Sequence, residues 1–181
     1  MVRRSKDDWA AIALQALAEG GPAAVAVEPL AAAAGATKGS VYWHFLNRDA
    51  LLTAALERWE REQTDGVIAA VEREDSPKAK LSALFVGVLE SPGPHVELAL
   101  LTAADDPLIA AAVQRVTERR LDYVADLFRQ LGFTAAQARN RAALAYSIYL
   151  GHAQLARSTP ATIAALPKSY LDEAMRALVR P

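Results

Sequence analysis

The sequence predicts an all-α protein. Apolar residues recur three and four apart along most of the chain, and no stretch sustains the alternation of a half-buried strand. Glycine- and proline-bearing breaks cut the pattern into helix-length pieces. With 181 residues, 52% hydrophobic and 23% charged, the chain can bury a core and is not disordered.

Each element has its own signals. Trp9, Ile12, Ala13, Ala16 and Leu17 form one face of a first helix. Ser5 and Asp8 make a capping box at its start, and Gly20-Gly21-Pro22 ends it. A short second helix fits residues 28–34, with Pro29 in its first turn. Gly35-Ala36-Thr37 forms a tight turn, and Thr37 caps a third helix over 38–45. Asn47 caps a fourth, whose buried face is Leu51, Leu52, Ala55, Leu56 and Trp59. It turns polar at Arg61-Glu62-Gln63, and a helical pattern resumes through Val67, Ile68 and Val71.

Asp75-Ser76-Pro77 is a clear break. Leu81, Leu84, Phe85, Val88 and Leu89 mark the next helix, which ends at Ser91-Pro92-Gly93-Pro94. A brief helix over 95–103 precedes Asp105-Asp106-Pro107, the start of a long helix to about Gln130. Leu131-Gly132 closes it. Thr134 and Gln137 form a second capping box, opening a helix to about Arg157. Pro160 and Pro167 punctuate the tail, and Leu171, Ala174, Met175 and Leu178 define the last helix.

Composition excludes several functions. There is no cysteine, hence no disulfide, thiolate zinc site or cysteine nucleophile. Histidine occurs only at 44, 95 and 152, so a multi-histidine metal site would need nearly all three. A net charge of −1 rules out a protein that coats nucleic acid by charge alone. No glycine-rich phosphate loop and no nucleophile-elbow serine occurs, and Asp105-Asp106 reads better as a helix cap than as a catalytic pair. The expectation is no enzyme, no cofactor and no metal. No apolar run reaches the ~20 residues of a membrane helix. The N-terminus turns acidic where a signal peptide would be apolar, so the expected compartment is the cytoplasm.

The second and third helices, with Ala34 and Gly35 at the corner, have the dimensions of a helix-turn-helix, whose second helix enters the DNA major groove. Tyr42, Trp43, His44 and Phe45 are four consecutive large residues that cannot all face one side of a helix. Val41 and Phe45, four apart, are the core pair. The third helix offers a phosphate the free N–H groups of its N-terminus. Thr37, Lys38 and Ser40 are the donors there, and Gly39 lets backbone approach DNA. Tyr42 can donate to a phosphate, Trp43 can touch a thymine methyl or deoxyribose, and His44 and Arg48 can bind flanking phosphates. Residues 1–48 hold five cations (Arg3, Arg4, Lys6, Lys38, Arg48) against Asp7, Asp8, Glu19 and Glu28. Binding must therefore rely on a few placed contacts, and its salt slope should be modest.

The run from Ala34 to Phe45, followed by Arg48 and Leu51, resembles the DNA-binding signature of the tetracycline-repressor (TetR) family of bacterial regulators. The close match covers roughly residues 8–52. Ala26 stands where the family usually has threonine or serine before the helix, and Arg48 stands for its usual lysine. The resemblance implies a helix-turn-helix head over residues 1–48 and a helical effector-binding and dimerisation bundle over 49–181. It implies a homodimer on an inverted-repeat DNA operator, repressing until a small effector favours a conformation with wrongly spaced heads. The long helices would form the dimer surface, through Leu108, Ile109, Ala112, Val113 and Val116 on one and Ala142, Ala143, Ala145 and Gly151 on the other. Candidate ligand residues are Phe85, Val88, Leu89, His95, Leu98, Leu101, Tyr146 and Tyr149, which suit an apolar or aromatic effector. The alternatives are a helical ligand-binding or protein-interaction module with weak or lost DNA binding, and a DNA-bound regulator answering to a protein partner. No membrane partner is expected.

Overall fold

The computed structural model describes residues 4–89, 96–167 and 169–180. Among these, all regular structure is helical. The helices are α1 (Lys6–Gly20), α2 (Val27–Ala33), α3 (Lys38–Tyr42), α4 (Arg48–Glu60), α5 (Gly66–Val71), α6 (Pro77–Leu89), α7 (Val96–Leu101), α8 (Pro107–Gln130), α9 (Ala135–Ser158), α10 (Pro160–Ala164) and α11 (Ser169–Val179). A 3₁₀ turn at Pro22–Ala24 lies between α1 and α2. Arg61–Asp65 is one π-helical turn, so the polar stretch there does not interrupt the helical backbone between α4 and α5.

The caps at Ser5, Asn47, Asp106 and Thr134 are where the side chains foretell them, whereas Thr37 takes the cap position of α3 without a side-chain bond. Ser5 and Asp8 bond each other's backbone N–H groups, as do Thr134 and Gln137. Asn47 accepts from Ala50 N at 2.9 Å, and Asp106 Oδ1 accepts from Leu108 N at 2.9 Å. The third helix is shorter than predicted, ending at Tyr42 instead of 45. Trp43 and His44 continue as a turn whose N–H groups return to Gly39 and Val41.

The chain packs as two compact units. The first is Met1–Asp65 with Pro94–Val116. Its core joins Trp9, Leu17, Val25, Leu30, Val41, Phe45, Leu51, Leu52 and Trp59 to Leu100, Ile109 and Val116. Trp9 and Trp59 are almost wholly buried, and truncating such a side chain costs about 3–5 kcal/mol. Ion pairs tie its surface: Arg58 to Asp7 and Glu62, and Arg115 to Glu60. Of the stripe expected to make a dimer surface on α8, only Leu108 is exposed. Ile109, Ala112 and Val116 are buried in this core, and Val113 packs against it.

The second unit is Gly66–Gly93 with Thr117–Pro181. Leu81, Phe85 and Leu89 of α6 meet Leu127 and Phe128 of α8, Ala138, Ala142 and Ala145 of α9 and Leu178 of α11. Arg141 lies over the Phe133 ring at 3.9 Å and donates to the Leu178 and Arg180 carbonyls. Glu72 accepts from Lys80 at 2.6 Å and from Tyr123 Oη at 2.7 Å. These two bonds hold the Glu72 carboxyl below the usual carboxylate range. Burial, then the Glu72 bond, pushes the Tyr123 phenol up.

Candidate nucleic-acid interface

The interface is built from α2, the turn after it, and α3. At the start of α2, Ala26 is extended (φ −120°, ψ 131°) and its side chain caps nothing. A hydrogen-bond acceptor is therefore missing where Ser or Thr would supply one. The end of α2 is sharply defined. Gly35 takes φ +62°, a left-handed conformation that a side chain would strain. Its N–H bonds to Ala32 O at 3.0 Å and the Ala36 N–H bonds to Ala31 O at 2.8 Å. This paired closure is a Schellman motif. It turns the chain so that Thr37 can start α3 four residues after α2 ends.

Thr37 is extended (φ −90°, ψ 152°), as a helix cap should be, but its hydroxyl makes no cap bond. Ser40 Oγ turns back to donate to Thr37 O at 2.7 Å. Gly39 is not demanded by the fold. A Cβ there would meet Thr37 Oγ1 at 3.7 Å, an ordinary contact. Val41 and Phe45 are buried, while Tyr42 is 50% and Trp43 75% exposed. Two aromatic side chains thus leave the core in the same short stretch that anchors Val41 and Phe45 inside it. Leu46, which sequence reasoning did not single out, is 87% exposed beside them.

His44 and Arg48, expected to bind phosphates, both make bonds within the chain. His44 Nε2 lies 3.0 Å from Arg4 O, and a carbonyl can only accept, so Nε2 carries the hydrogen in this bond. The Arg48 guanidinium donates to Val25 O at 3.0 Å and Pro22 O at 2.7 Å, and pairs with Asp49 at 3.3 Å. It braces the start of α4 against the loop before α2. The physical reason is geometric: Pro22 O, which already accepts from Val25 N at 3.1 Å, and Val25 O both lie within reach of the Arg48 guanidinium.

The described cations of the first unit all have partners within the chain. Arg4 lies over the Trp9 ring and Lys6 over the Phe45 ring, at 5.5 and 5.7 Å. Arg58, Arg61 and Arg115 hold carboxylates. Lys38 Nζ sits 3.0 Å from Glu28 Oε1, with both side chains mostly in water. That bond holds the Lys38 ammonium above the usual lysine range. Glu28 is a second residue that sequence reading missed as a site residue. It lies ten positions before Lys38, and only the turn at Gly35 brings the two together. Arg3, named with Arg4 and Lys6 among the head's cations, lies outside the described residues.

The predicted ligand residues fall in both units. Phe85 and Leu89 are buried in the second core, and Val88 and Tyr149 pack against it. The Tyr146 and Tyr149 rings are 5.9 Å apart, and Tyr146 Oη lies 3.3 Å from Thr117 Oγ1. Leu98 and Leu101 belong to the first unit, the former buried and the latter at the surface. His95 lies outside the described residues. His152 is buried on α9, its ring stacked on Tyr170 at 5.8 Å. A cleft of about 370 Å³ in the second unit is lined by Lys78, Leu131, Gly132, Phe133, Gln137 and Val179, none of them in the predicted ligand set. Among the described residues no cluster of three or more metal-binding side chains occurs, and no helix is long and apolar enough to cross a membrane.

Residues 11–55 match the family model described as bacterial regulatory proteins, tetR family. No curated protein matches the chain in sequence. Solved structures do match over nearly its whole length. A transcriptional regulator from Rhodococcus sp. Rha1 is 25% identical with a TM-score of 0.78, over 97% of this chain and 94% of that one. A TetR-family transcriptional regulator from Streptomyces coelicolor is 21% identical with a TM-score of 0.78, over 97% and 89%. A transcriptional regulator from Saccharomonospora viridis, solved in complex with choline, is 18% identical with a TM-score of 0.70, over 94% and 91%.

Proposed function

The chain belongs to the TetR family of bacterial regulatory proteins, DNA-binding transcription regulators and not enzymes, and we propose that it acts as a homodimeric repressor of an inverted-repeat operator. The functional division is a head over residues 1–48 and an effector and dimerisation part over 49–181. The observation that carries the reading is the outward set on α3 and the turn after it: Lys38, Tyr42 and Trp43 exposed while Val41 and Phe45 anchor the element. In the complex, the N-terminal end of α3 enters the major groove with Thr37, Lys38, Gly39 and Ser40 foremost. Tyr42 donates to a phosphate, Trp43 lies on a thymine methyl or sugar, and His44 meets the backbone once its bond to Arg4 O opens. Arg48 acts mainly as a brace.

Two heads must meet half-sites roughly 34–36 Å apart, or a multiple of that, which calls for a dimer. The surface favoured for it is the outer face of α9. Ala143, Leu144, Ser147, Gly151 and Leu155 are exposed there, two leucines flanking small residues that allow close helix approach. The second unit takes the effector, a small apolar or aromatic molecule against Phe85, Val88, Leu89, Tyr146 and Tyr149. A helical regulator of similar fold holds choline, which supports a small-molecule role for this unit. The effector releases DNA by binding better to a state unfit for the operator.

Titrating the native protein with labelled duplexes selected from a random pool tests the DNA half. An inverted repeat bound by a dimer is expected; equal binding to every duplex would contradict it. Calorimetry with apolar and aromatic compounds tests the effector half, and silence across a broad panel would count against it.

A further inference from the structure

We propose that Glu28 is an intramolecular competitor for the DNA phosphate that Lys38 would bind, and so keeps electrostatic affinity low and salt dependence shallow. This rests on the DNA-binding reading of α3. Each described cation of the first unit already has a partner within the chain, and Arg48, Arg58 and Arg115 each make several contacts. Arg48 is bound to two carbonyls, and Arg58 is mostly buried between two carboxylates. Like the Arg61–Asp7 contact at 3.2 Å, the Lys38–Glu28 pair is looser. It is a single contact at 3.0 Å, with 65% and 69% of the two side chains in water. Ion pairs of this kind are the weakest. Lys38 is also the first residue of α3, the element proposed to enter the groove.

The consequence is an exchange. A phosphate that takes Lys38 must displace the Glu28 carboxylate, which is then left as a like charge beside the DNA. The pair contributes no net positive charge, so this corner neutralises no phosphate on balance. Binding driven only by charge gains nothing here, and affinity must come from base contacts and from the second head. The first turn of a helix also favours a carboxylate. Glu28 on that reading would stabilise α2 and leave salt dependence unchanged, which makes salt dependence the deciding readout.

The experiment measures binding of the full chain to a mixed-sequence duplex of about 30 base pairs and to the selected operator, across a four-fold salt range. Native, Glu28→Gln, Lys38→Gln and the double variant are compared, with thermal melts to show each is folded. Removing Glu28 should tighten binding at low salt and steepen the slope by about 0.9. That is about a 3.5-fold greater loss of affinity over the range. The double variant should return to the native slope, because no lysine is then left for a phosphate to take. An unchanged slope in Glu28→Gln would overturn the proposal. So would a Glu28→Gln effect of equal size with Lys38 already replaced, since Glu28 would then act on DNA directly. If neither native protein nor Glu28→Gln binds any duplex at low salt, the DNA-binding reading falls and this inference with it; native binding with no change in Glu28→Gln sinks the inference alone.

Discussion

A Cβ fits at Gly39, so Gly39→Ala is expected to leave the melting temperature unchanged or raised, since alanine is the better helix former by about 1 kcal/mol. DNA affinity should fall, because the added methyl stands where backbone would meet DNA. Unfolding curves and titrations on one sample check both halves. Arg48 should behave oppositely. Arg48→Lys keeps the charge but loses the planar fork that spans both carbonyls, and losing such a bond costs about 1–3 kcal/mol. Denaturant unfolding should show the loss. The buried and exposed residues of the α3 region were legible from spacing alone, since Val41 and Phe45 stand four apart. The partners of Lys38, His44 and Arg48 were not. Glu28, Arg4, Pro22 and Val25 lie ten to forty residues away, and no local pattern links them.

At the level of elements, capping is what sequence revealed best, because a cap is a local bond between residues three apart. Ala26 is the element-scale defect. Ala26→Ser should supply the missing acceptor at the start of α2 and stabilise the protein by about 1 kcal/mol, read from the denaturation midpoint. The capping carboxylate of Asp8 and the paired carboxylate of Glu72 make a pH prediction. Hydrogen bonds to the Ser5 backbone and side chain hold Asp8 below the usual range, and those from Lys80 and Tyr123 do the same for Glu72. A group whose folded value is lowered contributes stability that is present above its unfolded value, and that is lost as pH falls through the folded one. Melting temperature should therefore drop below about pH 4.5, and the drop should be smaller in Asp8→Asn and Glu72→Gln. Polarity at 61–63 suggested a break that the backbone does not make. A π turn continues the helix, and residue polarity carries no sign of that.

For the whole molecule, sequence periodicity identified the all-α class but not which apolar stripe faces inward. The α8 stripe at Ile109, Ala112 and Val116 looks like an interface from its pattern and is core in the structure. A stripe has the same spacing whether it covers its own chain or a second copy. For the proposed dimer, the exposed leucines of α9 are the better candidate surface, and Leu144→Glu should then shift the protein to monomer in light scattering while leaving helicity intact. The most direct test of the central claim is selection of the purified protein on a random DNA pool, beside a Lys38→Ala/Tyr42→Ala variant. The account predicts that the native protein enriches an inverted repeat and the variant does not. No enrichment at low salt, from a folded dimer free of carried ligand, would contradict it.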